Sequence, residues 1–174
     1  AIHQGRICLG TWPNALVFRY DAPGKYTNLG RLGDEKEVMA IAVYNGKLYA
    51  GTLPLGQVYR YDDDQKWTLT GQLDTTPDVK YRRVWSMAVY QGKLFAGTLP
   101  SGKVYCLEAG KGASYDRALQ PGWRHVAAVK SGDRLKLYVD GQPVAESTTF
   151  EAADYDLSNS KPLRIGNGEH DAFN

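Results

Sequence analysis

VMAIAVYNGKLYAGTLPLGQVYRY, from Val38 to Tyr61, returns 46 residues later as VWSMAVYQGKLFAGTLPSGKVYCL, from Val84 to Leu107. The two stretches are identical at 15 of 24 positions. An earlier copy starts at Ile7, where ICLGTWPNALVFRYD aligns with the LYAGTLPLGQVYRYD that lies 41 residues further on. The chain therefore contains an internal repeat, with units at residues 7–37, 38–83 and 84–108.

The pattern of each unit predicts four short strands. In the second unit they fall at Val38–Tyr44, Lys47–Gly51, Gln57–Tyr61 and Lys66–Leu73. Asn45-Gly46 between the first two strands predicts a two-residue hairpin turn, because both residues tolerate the positive φ that such a turn needs. No helical period of useful length occurs anywhere in the sequence.

Four short strands in about 40–50 residues are typical of a β-propeller blade. Small residues in the first strands favour this architecture, because those strands crowd around the propeller axis; they are Ala40, Ala42, Ser86 and Ala88. The period resembles that of kelch- and WD40-like propellers, although the Trp-Asp and Gly-Gly signatures of those families are absent. Because about four to eight blades close a propeller, we expect either a fragment of a longer protein or closure by oligomerisation.

The repeat pattern ends at Glu108, and the sequence beyond it is of a different kind. WRHVAAVKSGDRLKLYVDGQPVA begins at Trp123, and PLRIG follows at Pro162–Gly166. These motifs, in this order, resemble the laminin-G/concanavalin A-like jelly-roll superfamily over residues 122–173. Asp140-Gly141 again predicts a hairpin turn. We therefore expect an all-β chain, with propeller-like four-stranded antiparallel repeats at 1–112 and part of a concanavalin-like β-sandwich (laminin-G jelly roll) at 113–174.

The composition excludes several classes of function. Lys and Arg number 21 against 19 Asp and Glu, which argues against a nucleic-acid or membrane electrostatic footprint. No run of about 18 apolar residues is present, so no membrane span is expected. The three histidines have no partner at metal-ligand spacing, and no hydrolase elbow or phosphate loop occurs. We therefore expect no catalytic residues and a protein that is not an enzyme.

Four residues are candidate ligand-binding residues: Trp12, Tyr81, Arg83 and Trp85. In a propeller blade the Thr-Leu-Pro loops and the long loop at 74–83 would lie on one rim, where binding tends to occur. Aromatic rings there could stack on a sugar while arginine bonds its hydroxyls; the alternative is that these side chains pack in the core.

The sequence thus favours a non-catalytic binding module, with carbohydrate as its ligand, on a secreted or cell-surface protein. Two alternatives stay open: an accessory fragment of a larger sialidase- or glycosidase-like enzyme, and a protein-interaction scaffold. The expected partners are a glycan or an extracellular protein, together with remaining blades of a longer chain or further copies in a homo-oligomer.

No cofactor is expected, but calcium is left open. Laminin-G-like domains often carry calcium near a rim loop, and the resemblance offers Asp154, Asp156, Asn159 and Asp171 as ligands. Asp62-Asp63-Asp64 is interpreted as a solvated turn. Cys8 and Cys106 are interpreted as two buried free thiols, and Trp67 and Trp123 as core residues.

Overall fold

The computed structural model describes residues 1–155 except 109 and 116. Within these residues the chain consists of β-strands and one 3-10 turn, Ala152–Tyr155, with no α-helix. The all-β prediction is therefore confirmed. No helix in this part has the length and apolarity needed to span a bilayer. The described residues divide into two compact parts, one formed by 1–89 with 94–106 and the other by 90–93 with 107–155.

The first part contains three sheets, in each of which the strands follow chain order. The first sheet holds β1 (Ile2–His3), β2 (Arg6–Gly10), β3 (Leu16–Ala22) and β4 (Lys25–Arg31). The second holds β5 (Glu37–Tyr44), β6 (Lys47–Leu53), β7 (Gln57–Asp63) and β8 (Lys66–Gln72). The third holds β9 (Arg83–Tyr90), β10 (Lys93–Leu99) and β11 (Val104–Leu107). Neighbouring strands of the first two sheets are antiparallel.

The sheets match the repeat units closely, with one strand that the repeat did not reveal. Strand β1 pairs with β2 through Ile2–Ile7, so the first sheet begins before the first recognised unit and is complete with four strands. The third sheet has three strands among the described residues. Successive antiparallel sheets are thus established, whereas closure into a propeller and the domain boundary at 112/113 stay predictions.

The predicted hairpin turns are confirmed by their backbone angles. Asn45 and Gly46 have φ of 47° and 69°, and Asp140 and Gly141 have φ of 51° and 78°. Nothing lies within 4 Å of a Cβ added at either glycine. A side chain at these positions would therefore cost stability through the backbone alone.

We predict that Gly46→Ala and Gly141→Ala each lower the free energy of unfolding by about 1–2 kcal/mol, the cost of a left-handed backbone for a residue with a Cβ. Gly71→Ala in β8 is the matched control, because its added Cβ meets only Leu73 Cδ2 at 3.8 Å. Urea denaturation of the three variants measures the difference. Equal stability of all three would contradict this account of the turns.

Successive sheets of the first part approach each other closely at a glycine. A Cβ on Gly10 of the first sheet would lie 2.4 Å from Val38 Cβ of the second. A Cβ on Gly51 would lie 2.7 Å from Val84 Cβ of the third sheet. Gly10 and Gly51 occupy the same repeat position, as do Val38 and Val84, so the two junctions are built alike. The buried cluster beside the first junction includes Cys8, Val17, Leu29, Leu32, Leu48, Ala50 and Tyr59.

We expect Gly51→Ala to destabilise the protein by roughly 1–3 kcal/mol, because overpacking a well-packed contact forces side chains and backbone apart. Gly97→Ala, at the same position in the third sheet, meets only Ser86 Oγ at 2.9 Å, the end of a small side chain that can rotate. Its thermal midpoint should stay within a few degrees of the wild type. A larger loss in Gly97→Ala than in Gly51→Ala would refute the assignment of Gly51 to a junction.

The second part contains one described sheet, formed by β12 (Val126–Ser131), β13 (Arg134–Val139) and β14 (Gln142–Glu146) in that order. Both strand pairs are antiparallel, with a register shift between Leu137 and Tyr138. At its turn, Asp140 Oδ1 accepts the His125 N–H at 2.9 Å and Oδ2 accepts a hydrogen bond from Arg124 at 3.0 Å. The His125 hydrogen bond, followed by that of Arg124, lowers the pKa of the Asp140 carboxyl.

Two expectations about individual side chains are wrong. Cys8 is a buried free thiol as expected, but Cys106 is exposed because it lies on the outermost strand, β11, of the third sheet. Trp123 is fully exposed rather than part of the core, since it precedes β12 and packs under no described strand. Trp67 does pack against the core cluster, and its Nε1–H donates to Leu29 O at 2.8 Å.

Candidate binding site on the loop edge

The candidate site lies along one edge of the first part, where the loops between strands meet. Each sheet contributes a Thr-x-Pro loop, at residues 11–15, 52–56 and 98–102. In each, the threonine Oγ1 donates to the carbonyl five residues on; the acceptors are Leu16, Gln57 and Lys103, at 2.9, 3.0 and 3.1 Å. The repeated threonine therefore closes each loop. We call these loops, with the inter-sheet segments 32–36 and 73–82, the loop edge.

Hydrogen bonds tie the segments of the loop edge together. Ala15 N–H donates to Lys36 O at 3.1 Å, and Lys36 N–H donates to Leu53 O at 2.8 Å. Further along, Leu73 N–H donates to Gly56 O at 2.9 Å and Arg82 N–H donates to Pro54 O at 2.8 Å. These hydrogen bonds join the Thr-Leu-Pro loops and the long loop along one edge, and the assignment of this edge to a propeller rim stays a prediction.

A buried carboxylate sits at each junction of the loop edge. Glu35, between the first two sheets, accepts the Leu55 N–H at 3.1 Å with Oε2. Asp74, between the second and third sheets, accepts the Ser101 N–H at 3.1 Å with Oδ2. Leu55 and Ser101 hold the same position in their Thr-Leu-Pro-x-Gly loops, so both carboxylates bind the next loop in the same way.

The two carboxylates differ in how fully they are hydrogen-bonded. Asp74 Oδ1 also accepts Thr76 N–H at 3.0 Å and Thr76 Oγ1–H at 2.6 Å, whereas Glu35 Oε1 is buried with no hydrogen-bond partner among the described residues. Burial raises the pKa of Glu35, and the Leu55 N–H offsets it only partly. Burial acts in the same direction on Asp74, but the hydrogen bonds of Thr76 and Ser101 outweigh it and lower its pKa to about 2.

We predict opposite effects of the two isosteric amide substitutions at pH 7. Asp74→Asn should destabilise by roughly 1–3 kcal/mol, because an amide nitrogen must then face a backbone or hydroxyl donor that loses its acceptor. Glu35→Gln should leave stability unchanged or raise it, because the amide oxygen still accepts the Leu55 N–H and no buried charge remains.

Unfolding curves measured from pH 7 to pH 2 test both statements. The lowered pKa of Asp74 stabilises the fold above the unfolded value of 3.8, and this contribution is lost as the pH falls toward about 2. The penalty of Asp74→Asn should therefore shrink in that window. The raised pKa of Glu35 has the reverse sign, so any gain from Glu35→Gln should disappear on acidification. Parallel pH profiles for the two variants would contradict the model.

The structure brings two of the four predicted ligand residues, Tyr81 and Arg83, into contact, and Trp85 lies two residues beyond Arg83 on β9. The Arg83 guanidinium carbon lies 5.5 Å from the centre of the Tyr81 ring, and Lys80 Nζ lies 5.2 Å from it. Arg83 and Trp85 flank the buried Val84 on β9. The Trp85 side chain is 55% exposed. Loop 73–82 positions this group, because Arg82 Nε also donates to Thr76 O at 2.7 Å.

Trp12 is exposed too, but it belongs to a different place on the loop edge. It lies in the Thr-x-Pro loop of the first sheet, and no described contact joins it to Tyr81, Arg83 or Trp85. Its repeat equivalents are Leu53 and Leu99. The four residues therefore do not form one cluster in the described structure.

A cavity of about 190 Å³, which the sequence did not predict, lies between the first and second sheets. It is lined by His3, Gln4, Cys8, Arg19, Leu29, Gly46, Lys47, Tyr61, Asp62 and Asp63. His3 Nε2 lies 3.1 Å from Gly46 O, and burial raises the pKa of the Cys8 thiol. The repeat pattern could not predict this cavity, because β1, which supplies His3, precedes the first recognised unit.

Asp62, which lines this cavity, is hydrogen-bonded within its own pair of strands, β7 and β8. It accepts a hydrogen bond from Arg60 Nε at 2.7 Å and another from Thr68 Oγ1. The bond from Arg60, ahead of that from Thr68, lowers the pKa of Asp62. Arg19, Asp21 and Thr27 repeat the arrangement in the first sheet. These carboxylates therefore stabilise neighbouring strands.

The described residues contain no cluster of three or more His, Cys, Asp or Glu side chains suited to a metal ion. Of the candidate calcium ligands, Asp154 lies in the 3-10 turn, while Asp156, Asn159 and Asp171 lie outside the described residues. The expectation of no cofactor, with calcium left open, is accordingly untested.

In the first part of the chain, antiparallel sheets bring their loops to one edge, near exposed aromatic and cationic side chains. Residues 85–174 match the family model described as the Concanavalin A-like lectin/glucanases superfamily, of the laminin G type. The chain belongs to this superfamily, which indicates a carbohydrate- or protein-binding module. The match begins within β9 and so includes Trp85. A search of the curated proteins found no match.

Proposed function

We propose that this chain is a non-catalytic carbohydrate-binding module of a secreted or cell-surface protein, and that Trp85 and Arg83 are central to its site. The observation that carries the proposal is the exposed Trp85 indole, two residues along β9 from Arg83, whose guanidinium lies over the Tyr81 ring. Membership of a superfamily that includes lectins supports the choice of carbohydrate, and laminin G-like domains are typically extracellular.

Trp85 suits a sugar because its ring offers apolar area on a rigid strand. One face of a pyranose carries mainly C–H groups, which can stack on an indole, whereas the hydroxyls around its rim require directional partners. The Arg83 guanidinium supplies planar N–H donors for such hydroxyls or for a carboxylate. Strand β9 fixes the backbone of both residues, so binding orders less of the chain than it would in a flexible loop.

Tyr81 acts in this proposal as a support for Arg83 rather than as a second stacking surface. Its half-buried ring has Arg83 and Lys80 within about 6 Å, the range of a cation–π contact. A ring already in contact with two cations has less free face for a sugar. Trp12, on the first sheet's loop, would bind a separate residue of an extended glycan.

The protein-interaction alternative draws on a different observation, the exposed apolar side chains of the first and third sheets. These include Ile2, Ile7, Leu9 and Val104. They lie on strands, away from the Thr-x-Pro loops. The accessory-fragment alternative depends on residues beyond this chain.

Binding through one such site should be weak, with Kd of about 0.1–1 mM. We predict that Trp85→Ala raises the Kd for a glycan selected on an array by about 2- to 30-fold, equivalent to about 0.5–2 kcal/mol for a lost ring contact. Arg83→Lys should also weaken binding, since a point charge replaces the planar fork. Isothermal titration or NMR titration measures both.

Trp123→Ala is the control, because it removes another exposed indole, from the second part of the chain. Its affinity should equal that of the wild type. A folded protein that binds nothing on a broad glycan array would overturn the proposal. So would a Trp85→Ala variant that melts many degrees lower, because Trp85 would then be a packing residue.

A further inference from the structure

We propose that the site around Tyr81 and Arg83 binds the carboxylate of an acidic sugar, a uronate or a sialate, in preference to a neutral sugar. This ligand class rests on the proposed function, because it concerns the same site. Its basis is the set of cations beside the Tyr81 ring and the absence of a described counter-ion for them.

Three cations flank Tyr81 in the sequence: Lys80, Arg82 and Arg83. The Lys80 Nζ and the Arg83 guanidinium carbon lie 5.2 and 5.5 Å from the centre of the Tyr81 ring. These two charges are therefore no more than about 11 Å apart, close to the Debye length of about 8–10 Å at physiological ionic strength. An anion beside the ring is thus attracted by both of them.

These cations have no carboxylate partner within the part of the chain that the structure describes. No ion pair of 4 Å or less among the described residues involves Lys80, Arg82 or Arg83. Other arginines do have such a carboxylate; they are Arg6, Arg19, Arg60, Arg124 and Arg134. Like charges near one ring repel each other, so a bound anion would relieve a repulsion that the free protein contains.

The two carboxylates between β8 and β9, Asp74 and Asp78, do not neutralise this group. Asp74 is buried, and both of its oxygens already accept hydrogen bonds. Asp78 is exposed and forms no described ion pair with Lys80 or Arg83. The positive charge at the site is therefore open to an anion from solvent.

The sheets on either side of the site hold its cations in place. The Arg82 N–H donates to Pro54 O, in the loop of the second sheet, at 2.8 Å. Asp74 Oδ2 accepts the Ser101 N–H, from the loop of the third sheet, at 3.1 Å. The segment that carries the cations is thus bonded to both neighbouring sheets, and its position follows from contacts inside the described chain.

A carboxylate suits this pair of cations better than a hydroxyl does. The planar guanidinium of Arg83 matches the two oxygens of a carboxylate, and the Lys80 ammonium adds a point charge. Charge-assisted hydrogen bonds are roughly twice as strong as neutral ones. A sugar that carries a carboxylate therefore gains from both cations, whereas a neutral sugar gains only hydroxyl contacts.

The test compares acidic oligosaccharides with their own carboxyl-reduced forms, in which each carboxylate has become a hydroxymethyl group and the rings are unchanged. The probes are oligogalacturonate and sialyllactose, each with its reduced form, titrated by NMR. At least one acidic probe should bind about 5- to 30-fold more tightly than its reduced form, the difference between charge-assisted and neutral hydrogen bonds. Raising NaCl from about 20 to about 300 mM should narrow this difference, because salt screens exposed charges.

Lys80→Gln should weaken binding of that acidic probe by about 2- to 5-fold, the range for an exposed ion pair, and leave binding of the reduced form unchanged. Lys80 is exposed, so this variant should fold like the wild type. Lys66→Gln is the matched control, because Lys66 is an exposed lysine at the β7–β8 turn, at the other end of β8 from the loop edge. It should bind both forms like the wild type.

The possible failures are distinguishable. Equal binding of the acidic and reduced forms would overturn the preference for a carboxylate and leave the glycan site standing. Equal losses in Lys80→Gln and Lys66→Gln would also overturn it, because net charge alone would then explain the binding. A sulfated form of the reduced oligosaccharide that binds as tightly as the acidic one would overturn the choice of a carboxylate as the anion. A folded protein that binds no glycan would overturn the proposed function together with this ligand class.

Discussion

The arrangement of the first part depends on how closely one sheet can approach the next. That distance is set at Gly10 and Gly51, where any side chain would collide with the first strand of the following sheet. The approach aligns the Thr-x-Pro loops along one edge and brings Glu35 and Asp74 within reach of the next loop's backbone. The segment that carries Tyr81 is held in place by the same contacts. Gly10 and Gly51 lie in strands rather than turns, and the close approach that they allow positions residues far from them in sequence.

The repeat was enough to predict most of this fold. Alternating apolar residues and the Asn-Gly and Asp-Gly pairs fixed strand positions to within a few residues, because backbone geometry at such turns permits few alternatives. Strand β1 was not predicted, because a strand of two residues is too short to be aligned with the other repeat units. Burial of single residues was harder: Cys106 and Trp123 are ordinary core residue types, and their exposure depends on which strands cover them.

The candidate site was predictable only in part. Sequence reasoning found Tyr81, Arg83 and Trp85 because a long loop on a repeated scaffold is where units differ. It grouped Trp12 with them because the loops share an edge, although sharing an edge does not bring side chains into contact. Neither Glu35 nor Asp74 could be recognised in advance, since the two are different residues at different distances from the loops that they bind. Their roles emerge from hydrogen bonds between segments 20 and 27 residues apart.

Because Glu35 and Asp74 are unequally hydrogen-bonded, the two junctions of the first part respond differently to acid. A protonated Glu35 can keep Oε2 on Leu55 and carry its proton on the oxygen that has no partner. A protonated Asp74 has no such spare oxygen, because both already accept hydrogen bonds. Acidification toward the pKa of Asp74, about 2, would therefore weaken the junction between the second and third sheets more than the junction between the first two. Two junctions built on the same repeat thus differ in acid sensitivity, and the more sensitive one lies nearer the C-terminal end of the first part.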